Sequence, residues 1–208
     1  MREMSTVHVV EDDDGFRAAL VLLLRASGYA VRAHASAREF LDADPGGPGC
    51  VILDLQLPDL SGLAVQEQLA QRASPLPIVF LTGRGDVPTS VQAMRAGAED
   101  FLTKPVEQTE LLAAVERALA RDGAQRAAWH ARDDLRARYA TLTPVERQVM
   151  SGVASGHLNK QIAYRFGRDV RTIKAHRAAV MQKMRADSIA DLVRMAGELE
   201  IPIEPPEV

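Results

Sequence analysis

The chain has 208 residues, of which 47% are hydrophobic and 25% are charged, and its net charge is -3. This composition is that of an ordinary globular protein, and no apolar run reaches the ~18 residues that a membrane-spanning helix needs. The single cysteine, Cys50, excludes an internal disulfide framework. The first predicted strand begins close to the N-terminus and leaves no room for a secretion signal. We therefore expect a cytoplasmic protein that does not associate with membranes.

The charges are distributed unevenly along the chain. Residues 1–120 carry 17 acidic and 10 basic side chains. The stretch Asn159–Arg185, in contrast, contains eight lysines and arginines and only one acid, Asp169. This asymmetry indicates a cation site in the first half of the chain and a polyanionic partner for the second half.

Short apolar runs alternate with amphipathic segments in the first 120 residues. The predicted strands are Val7–Val10, Ala30–Ala33, Cys50–Leu55, Ile78–Leu81 and Phe101–Thr103. The predicted helices are Phe16–Arg25, Ala37–Leu41, Leu63–Gln71, Val91–Ala96 and Leu111–Ala120. Continuous apolar strands separated by helices predict an α/β domain, a five-stranded parallel sheet that is doubly wound, with helices on both faces. Ser36 and Glu39 have the spacing of a capping box at the start of the second helix.

The remainder of the chain is predicted to be helical. Residues 121–140 are polar and rich in alanine, which predicts a helical linker that continues the fifth helix. Residues 141–208 then predict four short helices, and hence a small all-α domain. The first of these starts at Thr143, with Pro144 at the first helical position and Glu146 completing a capping box. Asn159, Asp169 and Ser188 are the predicted N-caps of the other three helices, in chain order.

Side chains that suit a metal site come together at the carboxyl ends of the predicted strands. Glu11 and Asp12 follow the first strand, Asp54 ends the third, Thr82 follows the fourth and Lys104 follows the fifth. Because parallel strands end at the same edge of a sheet, we expect these side chains to lie close together. Three converging carboxylates repel one another unless a cation is bound, and an all-oxygen donor set suits Mg²⁺. A carboxylate beside Mg²⁺ can attack a phosphoryl group.

These residues resemble a known family. The motifs are Val-Val-Glu11-Asp12, Leu53-Asp54-Leu-Gln-Leu-Pro58-Asp-Leu-Ser61-Gly62, Thr82-Gly83 and Lys104-Pro105. Over residues 5–120 they are similar to the receiver domains of NarL/FixJ-type response regulators. The resemblance implies a flavodoxin-like receiver fold for residues 1–120, which a sensor histidine kinase would phosphorylate.

The same resemblance implies a role for each residue at the strand ends. Asp54 would be the phosphoacceptor, and Mg²⁺ would be held by Glu11, Asp12, Asp54 and the carbonyl of Gln56. Thr82 and Lys104 would bind the phosphoryl group, and Phe101 would turn inward as an aromatic switch when Thr82 moves.

An enzyme acting on phosphorylated substrates is an alternative. Aspartyl-phosphate hydrolases of the haloacid-dehalogenase type require a second acid two residues after the nucleophile. That position is occupied here by Gln56, so we expect the protein not to be an enzyme. Another alternative is a constitutive DNA-binding protein whose receiver serves only as a docking module.

Residues 141–200 contain the motifs Leu-Thr143-Pro-x-Glu146-Arg147, Gly156-His-Leu-Asn159-Lys160-x-Ile162-Ala163 and Arg171-Thr172-Ile-Lys174-Ala-His176-Arg177. They resemble the LuxR-type helix-turn-helix domain, in particular its FixJ branch. On a helical wheel of Asp169–Arg185, an apolar face contains Ile173, His176, Val180 and Met184. The opposite face alternates long hydrogen-bond donors with two alanines, which lets a helix approach the major groove closely. The predicted base-reading residues are Arg171, Lys174, Ala175 and Ala178, and the predicted phosphate contacts are Lys160, Thr172, Arg177 and Lys183.

The two resemblances together predict a transcriptional regulator controlled by phosphorylation. Phosphorylation of Asp54 would change the face of the fourth helix, where Val87, Val91 and Met94 would form a symmetric homodimer. The dimer would bind double-stranded promoter DNA with two recognition helices. RNA polymerase is a further expected partner by analogy with the family.

Overall fold

A computed structural model of the chain describes residues 5–72, 74, 76–83 and 87–202. The chain divides into two compact units, and the boundary between them lies after residue 127. The predicted domain boundaries at residues 120 and 140 are not tested by this division and stay predictions.

The first unit contains a five-stranded parallel sheet. Its strands are β1 (Thr6–Val10), β2 (Ala30–His34), β3 (Gly49–Asp54), β4 (Ile78–Thr82) and β5 (Asp100–Thr103). Their order in the sheet is β2-β1-β3-β4-β5, and every paired register is parallel. The α/β prediction is therefore confirmed.

Nine helices lie within the described residues. Those that begin in the first unit are α1 (Asp14–Ala26), α2 (Ala37–Asp42), α3 (Gly62–Gln71), α4 (Val87–Arg95) and α5 (Gln108–Ala140). The others are α6 (Pro144–Ala154), α7 (Asn159–Arg165), α8 (Val170–Met184) and α9 (Ile189–Glu198). The prediction of an all-α second domain is thus also confirmed.

Two apolar clusters cover the two faces of the sheet. Val7 and Val9 of β1 belong to one cluster, together with Leu111 of α5. Val10 of the same strand belongs to the other cluster, with Phe40 of α2. Because successive side chains of a strand point to opposite faces, both faces must be covered, and the central strands read as continuous apolar runs.

A buried histidine pair lies in the cluster beneath α2. His8 Nδ1 is 3.2 Å from His34 Nε2, and both rings pack edge-on against Phe40. Burial, together with the charges of His34 and Arg32, lowers the pKa of His8 to about 4. Burial also lowers the pKa of His34, although Glu39 opposes this shift. The sequence pattern did not predict this pair.

The predicted helix starts are only partly correct. Thr143 and Glu146 form the predicted capping box, and Asp169 and Ser188 are N-caps. Ser36 does cap α2, accepting from the Glu39 amide, but the Glu39 carboxylate accepts from Ala35 instead of closing the box on Ser36.

The prediction for Asn159 is wrong. Leu158 occupies the N-cap position of α7, and its amide donates to Gln161 Oε1 at 2.7 Å. Asn159 is the first residue of the helix, and its side-chain oxygen accepts from Arg177 at 2.9 Å. The amide side chain is therefore used to join α7 to α8 rather than to cap the helix.

The first part of the predicted linker packs on the first unit. Asp122 is 1% exposed, and its carboxylate accepts from the Gly49 amide at 2.9 Å and from Arg126 Nε at 2.9 Å. Arg121 pairs with Glu99 at 3.0 Å. A buried carboxylate with two donors is well satisfied, so these contacts hold α5 against the sheet beyond residue 120.

The second unit has its own apolar core. Val149 of α6, Ile162 of α7, Ile173 of α8 and Leu192 of α9 are each at most 2% exposed. Leu135, near the end of α5, joins the same cluster. The last turns of α5 therefore belong to the packing of the helical unit.

Cys50 is buried on β3. Burial raises the pKa of its thiol to about 12, so the thiolate is not available near neutral pH. No helix among the described residues is both long and apolar enough to cross a membrane.

Candidate functional site

The predicted carboxylates do meet at one edge of the sheet. Glu11 follows β1 and is 2% exposed, and Asp54 ends β3 and is 7% exposed. Asp12 is exposed beside them, and the three groups offer oxygen atoms within 4.8 Å of one another. Two of the three carboxylates are thus largely shielded from solvent.

Lys104, just after β5, bridges the two buried carboxylates. Its Nζ lies 2.6 Å from Glu11 Oε2 and 2.7 Å from Asp54 Oδ2. The same ammonium lies 4.4 Å from the centroid of the Phe16 ring. Among the described residues, Lys104 is the cation that is ion-paired with this cluster, and its single charge balances only part of the charge of the three acids.

The pocket shifts the acid–base properties of its members. Burial raises the pKa of Glu11, although the hydrogen bond from Lys104 opposes the shift. Burial alone would lower the pKa of Lys104, but its hydrogen bonds to Asp54 and Glu11 outweigh that effect and raise it. The lysine therefore remains an ammonium, which can pair with an added anion.

The loop after Asp54 is fixed by close packing. The backbone amide of Gln56 donates to Asp54 Oδ1 at 2.9 Å, while the Gln56 side chain is exposed. A Cβ at Gly62 would lie 2.7 Å from the Asp54 carbonyl oxygen and 2.9 Å from the Phe80 ring. Only glycine fits there, so α3 can start directly against the backbone of Asp54.

Thr82 and Phe101 lie on the two strands nearest to Lys104. Thr82 ends β4 and is fully buried, and its carbonyl accepts from the Lys104 amide at 2.8 Å. Phe101, on β5, is half-buried, with its ring centroid 6.1 Å from that of Phe80. Phe80 of β4 and Ala93 of α4 belong to one apolar cluster, against which Phe101 packs, so Phe101 lies on the face of the sheet that α4 covers. Thr82 is two residues after Phe80 on β4 and therefore points to the same face.

In the helical unit, α8 presents the predicted exposed face. Ile173, Val180 and Met184 are fully buried, as the helical wheel predicted, and His176 is half-buried. The side chains that were predicted to read bases share the opposite face. Arg171, Lys174, Ala175 and Ala178 are all exposed.

Several residues predicted to contact phosphates already have partners inside the unit. Thr172 donates its hydroxyl to Asp169 at 2.6 Å, and Arg177 donates to Asn159 at 2.9 Å. Lys160, in contrast, is exposed near the start of α7.

Lys183 is the most firmly engaged of these residues. It pairs with both carboxylate oxygens of Glu146, at 2.9 and 2.6 Å. Glu146 is 5% exposed, and the hydrogen bond from Lys183 holds the pKa of that carboxyl below its usual range. A phosphate contact by Lys183 would have to compete with this ion pair.

Comparisons with known proteins identify a family match in each unit. Residues 7–116 match the response regulator receiver domain, and residues 140–196 match the bacterial regulatory proteins of the luxR family. The transcriptional regulatory protein FixJ of Azorhizobium caulinodans is 44% identical over 94% of this chain and 93% of its own. Nodulation protein W of Bradyrhizobium diazoefficiens is 46% identical over 94% and 86%, respectively. The solved structure of the response regulator StyR is 40% identical, with a TM-score of 0.87 over 94% of this chain and all of its own.

The chain is a response regulator of the NarL/FixJ family.

As such, this response regulator is a DNA-binding transcriptional regulator controlled by phosphorylation, and not an enzyme. A receiver joined to a LuxR-type domain implies a sensor kinase and DNA as its partners. The family prediction and the two-component function are therefore confirmed. The roles of individual site residues stay predictions.

Some residues of this response regulator that shape the two sites were missed by the sequence analysis. Asp59 accepts from the amides of Ala37 and Arg38 and so ties the loop after Asp54 to the start of α2. Glu146 was recognised as a capping residue but not as the partner of Lys183. A long-range partner leaves no periodic signal in a single sequence, so neither contact was predictable.

Proposed function

We propose that Asp54 accepts a phosphoryl group from a sensor histidine kinase, and that phosphorylation makes the protein a homodimer that binds promoter DNA. The observation that carries the proposal is the placement of Lys104 between Glu11 and Asp54, at 2.6 and 2.7 Å. This arrangement joins a nucleophilic carboxylate, a second acid and a cation at one strand edge, where Thr82 also lies.

The chemistry requires little of the protein beyond positioning and charge. A carboxylate oxygen of Asp54 attacks the phosphorus of a phosphohistidine. The new O–P bond forms as the P–N bond breaks, and the electron pair returns to the imidazole ring of the kinase. The ammonium of Lys104, already paired with Asp54, then pairs with a phosphoryl oxygen, and the Thr82 hydroxyl donates to another.

The donor set of the pocket fits Mg²⁺. Glu11, Asp12 and Asp54 present only oxygen atoms, and within the described part of the chain one ammonium, that of Lys104, is ion-paired with them. We propose that these carboxylates and the carbonyl of Gln56 hold the ion. When bound, it supplies positive charge that neutralises the phosphoryl oxygens.

The switch would pass through Thr82 and Phe101 to the face of α4 and β5. Val87, Val91 and Met94 of α4 are 75%, 42% and 44% exposed. Apolar side chains that are exposed in a row suit a surface that is covered in another state. We propose that a second copy of the chain covers it after phosphorylation.

DNA recognition would rest on the exposed face of α8. Arg171 and Lys174 reach outward, while Ala175 and Ala178 leave space for the helix to lie deep in the major groove. The proposed phosphate contacts are Lys160, Thr172, Arg177 and Lys183. The last three would have to give up or share the side-chain partners described above. A two-fold dimer would place two such helices on one operator.

Gel filtration with light scattering tests the proposal on wild type and Asp54→Asn, with and without Mg²⁺ and beryllofluoride. A change from monomer to dimer in wild type alone is the expected result. Asp54→Asn should keep its fold and remain unresponsive, and its operator binding should not increase with the phosphoryl mimic. A receiver that serves only for docking would show no shift in either protein.

A further inference from the structure

The last turn of α5 is built into the helical unit. Leu135 is 5% exposed and belongs to the apolar core of that unit, against which Tyr139 also packs. The Arg147 guanidinium of α6 lies 5.1 Å from the centroid of the Tyr139 ring. Arg147 also donates to the Ala140 carbonyl at 3.2 Å. Apolar and polar contacts together therefore hold the end of α5 on the helical unit.

Arg138, in the same turn, reaches the end of α8, the proposed recognition helix. Its Nη1 donates to the Met184 carbonyl at 3.3 Å. Met184 is the last residue of α8 and is fully buried. The Nη2 of the same guanidinium pairs with Asp134, which lies one turn earlier on α5. Asp134 therefore orients a guanidinium that also bonds to the end of α8.

The C-terminus of α8 is electrostatically suited to this cation. The helix stops at Arg185, which adopts a left-handed conformation with a φ of 54° and donates its amide to the Gln182 carbonyl at 3.2 Å. The last carbonyls of a helix lack partners within the helix and carry partial negative charge, so a guanidinium beside the Met184 carbonyl is favourable. Arg138 thus caps the C-terminus of α8 from another helix.

Two polar contacts fix the position of α8 against neighbouring helices. Near the middle of α8, Arg177 donates to Asn159 of α7 at 2.9 Å. At its end, Met184 accepts from Arg138 of α5. The apolar face of α8 determines which side of the helix points outward, whereas directional hydrogen bonds to fixed atoms oppose a shift along the helix axis. Because a binding site requires its side chains to be held within about 0.5 Å, these two contacts bear on base reading.

Arg138 lies outside the part of the chain that matches the luxR family. That match covers residues 140–196. Arg138 belongs instead to α5, the long helix that begins at Gln108 in the first unit. The contact with α8 is therefore made by the linker helix and not by the helix-turn-helix itself.

We propose that Arg138 is a positioning residue for DNA recognition, which sets the place of α8 in the major groove through the Met184 carbonyl. This inference rests on the proposed function, because it requires that α8 reads bases. Without Arg138 the end of α8 shifts, and the base-reading side chains no longer align with the base edges. Attraction to the phosphates depends less on exact alignment. Specific binding is therefore lost while non-specific binding remains.

Titrations by fluorescence anisotropy test the inference on the full chain activated with beryllofluoride. The probes are the duplex that wild type selects from a randomised pool and an unrelated duplex of equal length. The variants are Arg138→Met, which removes the donor and keeps an unbranched stem, and Arg138→Lys, which keeps a cationic donor. Arg136→Met is the matched control, because it removes the same charge from an exposed position on the same helix.

The ratio of the affinities for the two duplexes is the decisive quantity. It should fall about tenfold for Arg138→Met, which is the size expected for one lost base contact. Arg138→Lys should recover most of the ratio, and Arg136→Met should keep it within about twofold of wild type. The salt dependence of binding should be unchanged in Arg138→Met, because Arg138 contacts no phosphate in this role. Partial unfolding would lower both affinities alike, so a merely structural role would not change the ratio.

Asp134→Asn provides a second test that does not depend on the folding of Arg138→Met. The Asp134 side chain is 53% exposed, so its substitution should preserve the fold, which circular dichroism checks. Loss of the carboxylate that orients Arg138 should lower the affinity ratio about threefold, in line with the loss of an exposed ion pair.

The inference is wrong if both Arg138→Met and Asp134→Asn keep the wild-type ratio, or if Arg138→Lys binds as poorly as Arg138→Met. Equal losses on both duplexes with a less steep salt dependence would also overturn it, because Arg138 would then be a phosphate contact. Failure of the proposed function is a different result. Activated wild type would then select no duplex, or Lys174→Ala would keep the wild-type ratio.

Discussion

The acidic pocket of the receiver and the basic face of α8 are built in opposite ways. In the pocket Glu11, Asp54 and Thr82 are buried and the two carboxylates pair with Lys104, so these groups form part of the fold, whereas Asp12 is exposed. On α8 the groups that would read bases are exposed on a helix whose other face supplies the core. Changes in the pocket should therefore cost stability as well as function, whereas changes on the exposed face should cost affinity alone.

The largest effect is expected from the closest packing. Gly62→Ala places a methyl group 2.7 Å from the Asp54 carbonyl oxygen, and backbone cannot move aside as a flexible side chain can. We expect a loss of about 2–4 kcal/mol in the free energy of unfolding, measured by urea denaturation. Gly123→Ala, where a Cβ meets nothing within 4 Å, is the control. A small loss for Gly62→Ala would show that the loop after Asp54 is not fixed by packing.

Acidification should weaken the receiver through the buried histidine pair. The pKa of His8 is lowered to about 4, below its ordinary value of about 6.5. The unfolded chain therefore binds more protons than the folded one between these values. This contribution to stability is complete above pH 6.5 and is lost as the pH falls towards 4, by at most about 1.4 kcal/mol per pH unit for one histidine.

Urea denaturation of the full chain at several pH values checks this dependence. His8→Gln removes the titrating group while keeping a hydrogen-bonding side chain. Its stability should vary less with pH between 6.5 and 4 than that of wild type. Identical pH profiles for the two proteins would mean that the buried pair does not set the acid sensitivity.

Lys183 lies on α8, but unlike the proposed base-reading residues it is paired with a nearly buried carboxylate. Lys183→Met removes the partner of the nearly buried Glu146 carboxylate and should cost about 1–3 kcal/mol of unfolding free energy. Lys183→Met together with Glu146→Gln should recover part of the loss, because no unpaired charge remains. A single variant that keeps its stability would show that this ion pair does not stabilise the fold. A less steep salt dependence of DNA binding for Lys183→Met would separately show that Lys183 contacts phosphate.

The smallest effect on stability is expected on the exposed face of α8. Lys174→Ala should leave the melting temperature nearly unchanged, while specific operator binding weakens by about 1–3 kcal/mol. Lys160→Ala is the contrasting variant, because loss of a phosphate contact weakens binding to all sequences alike. Titrations with specific and unrelated duplexes separate the two, and equal losses on both duplexes for Lys174→Ala would exclude base reading.

The prediction of the receiver fold from sequence succeeded because the sheet itself imposes the geometry. Continuous apolar strands separated by helices force Glu11, Asp54 and Lys104 to one edge, although Glu11 and Lys104 are 93 positions apart. Periodicity likewise identified the buried face of α8. Both signals arise from regular structure, which repeats along the chain and is therefore visible in one sequence.

The features that were missed depend on single contacts between distant residues. Asparagine is a residue type that often caps helices, but the Asn159 side chain instead accepts a hydrogen bond from Arg177 of α8. His8 and His34 are far apart in the sequence, and their contact becomes apparent only once β1 and β2 are paired in the sheet. Asp122 was read as part of a polar linker, although Gly49 and Arg126 satisfy it in a buried position.

The burial of Cys50 and the raised pKa of its thiol have a practical consequence. Cys50 is the only cysteine of the chain, and burial with a pKa of about 12 protects it from thiol-reactive reagents. A cysteine introduced at an exposed position can therefore carry a fluorophore or spin label without first removing the native thiol. The slow labelling of Cys50 itself would then report how often the receiver opens enough to expose β3.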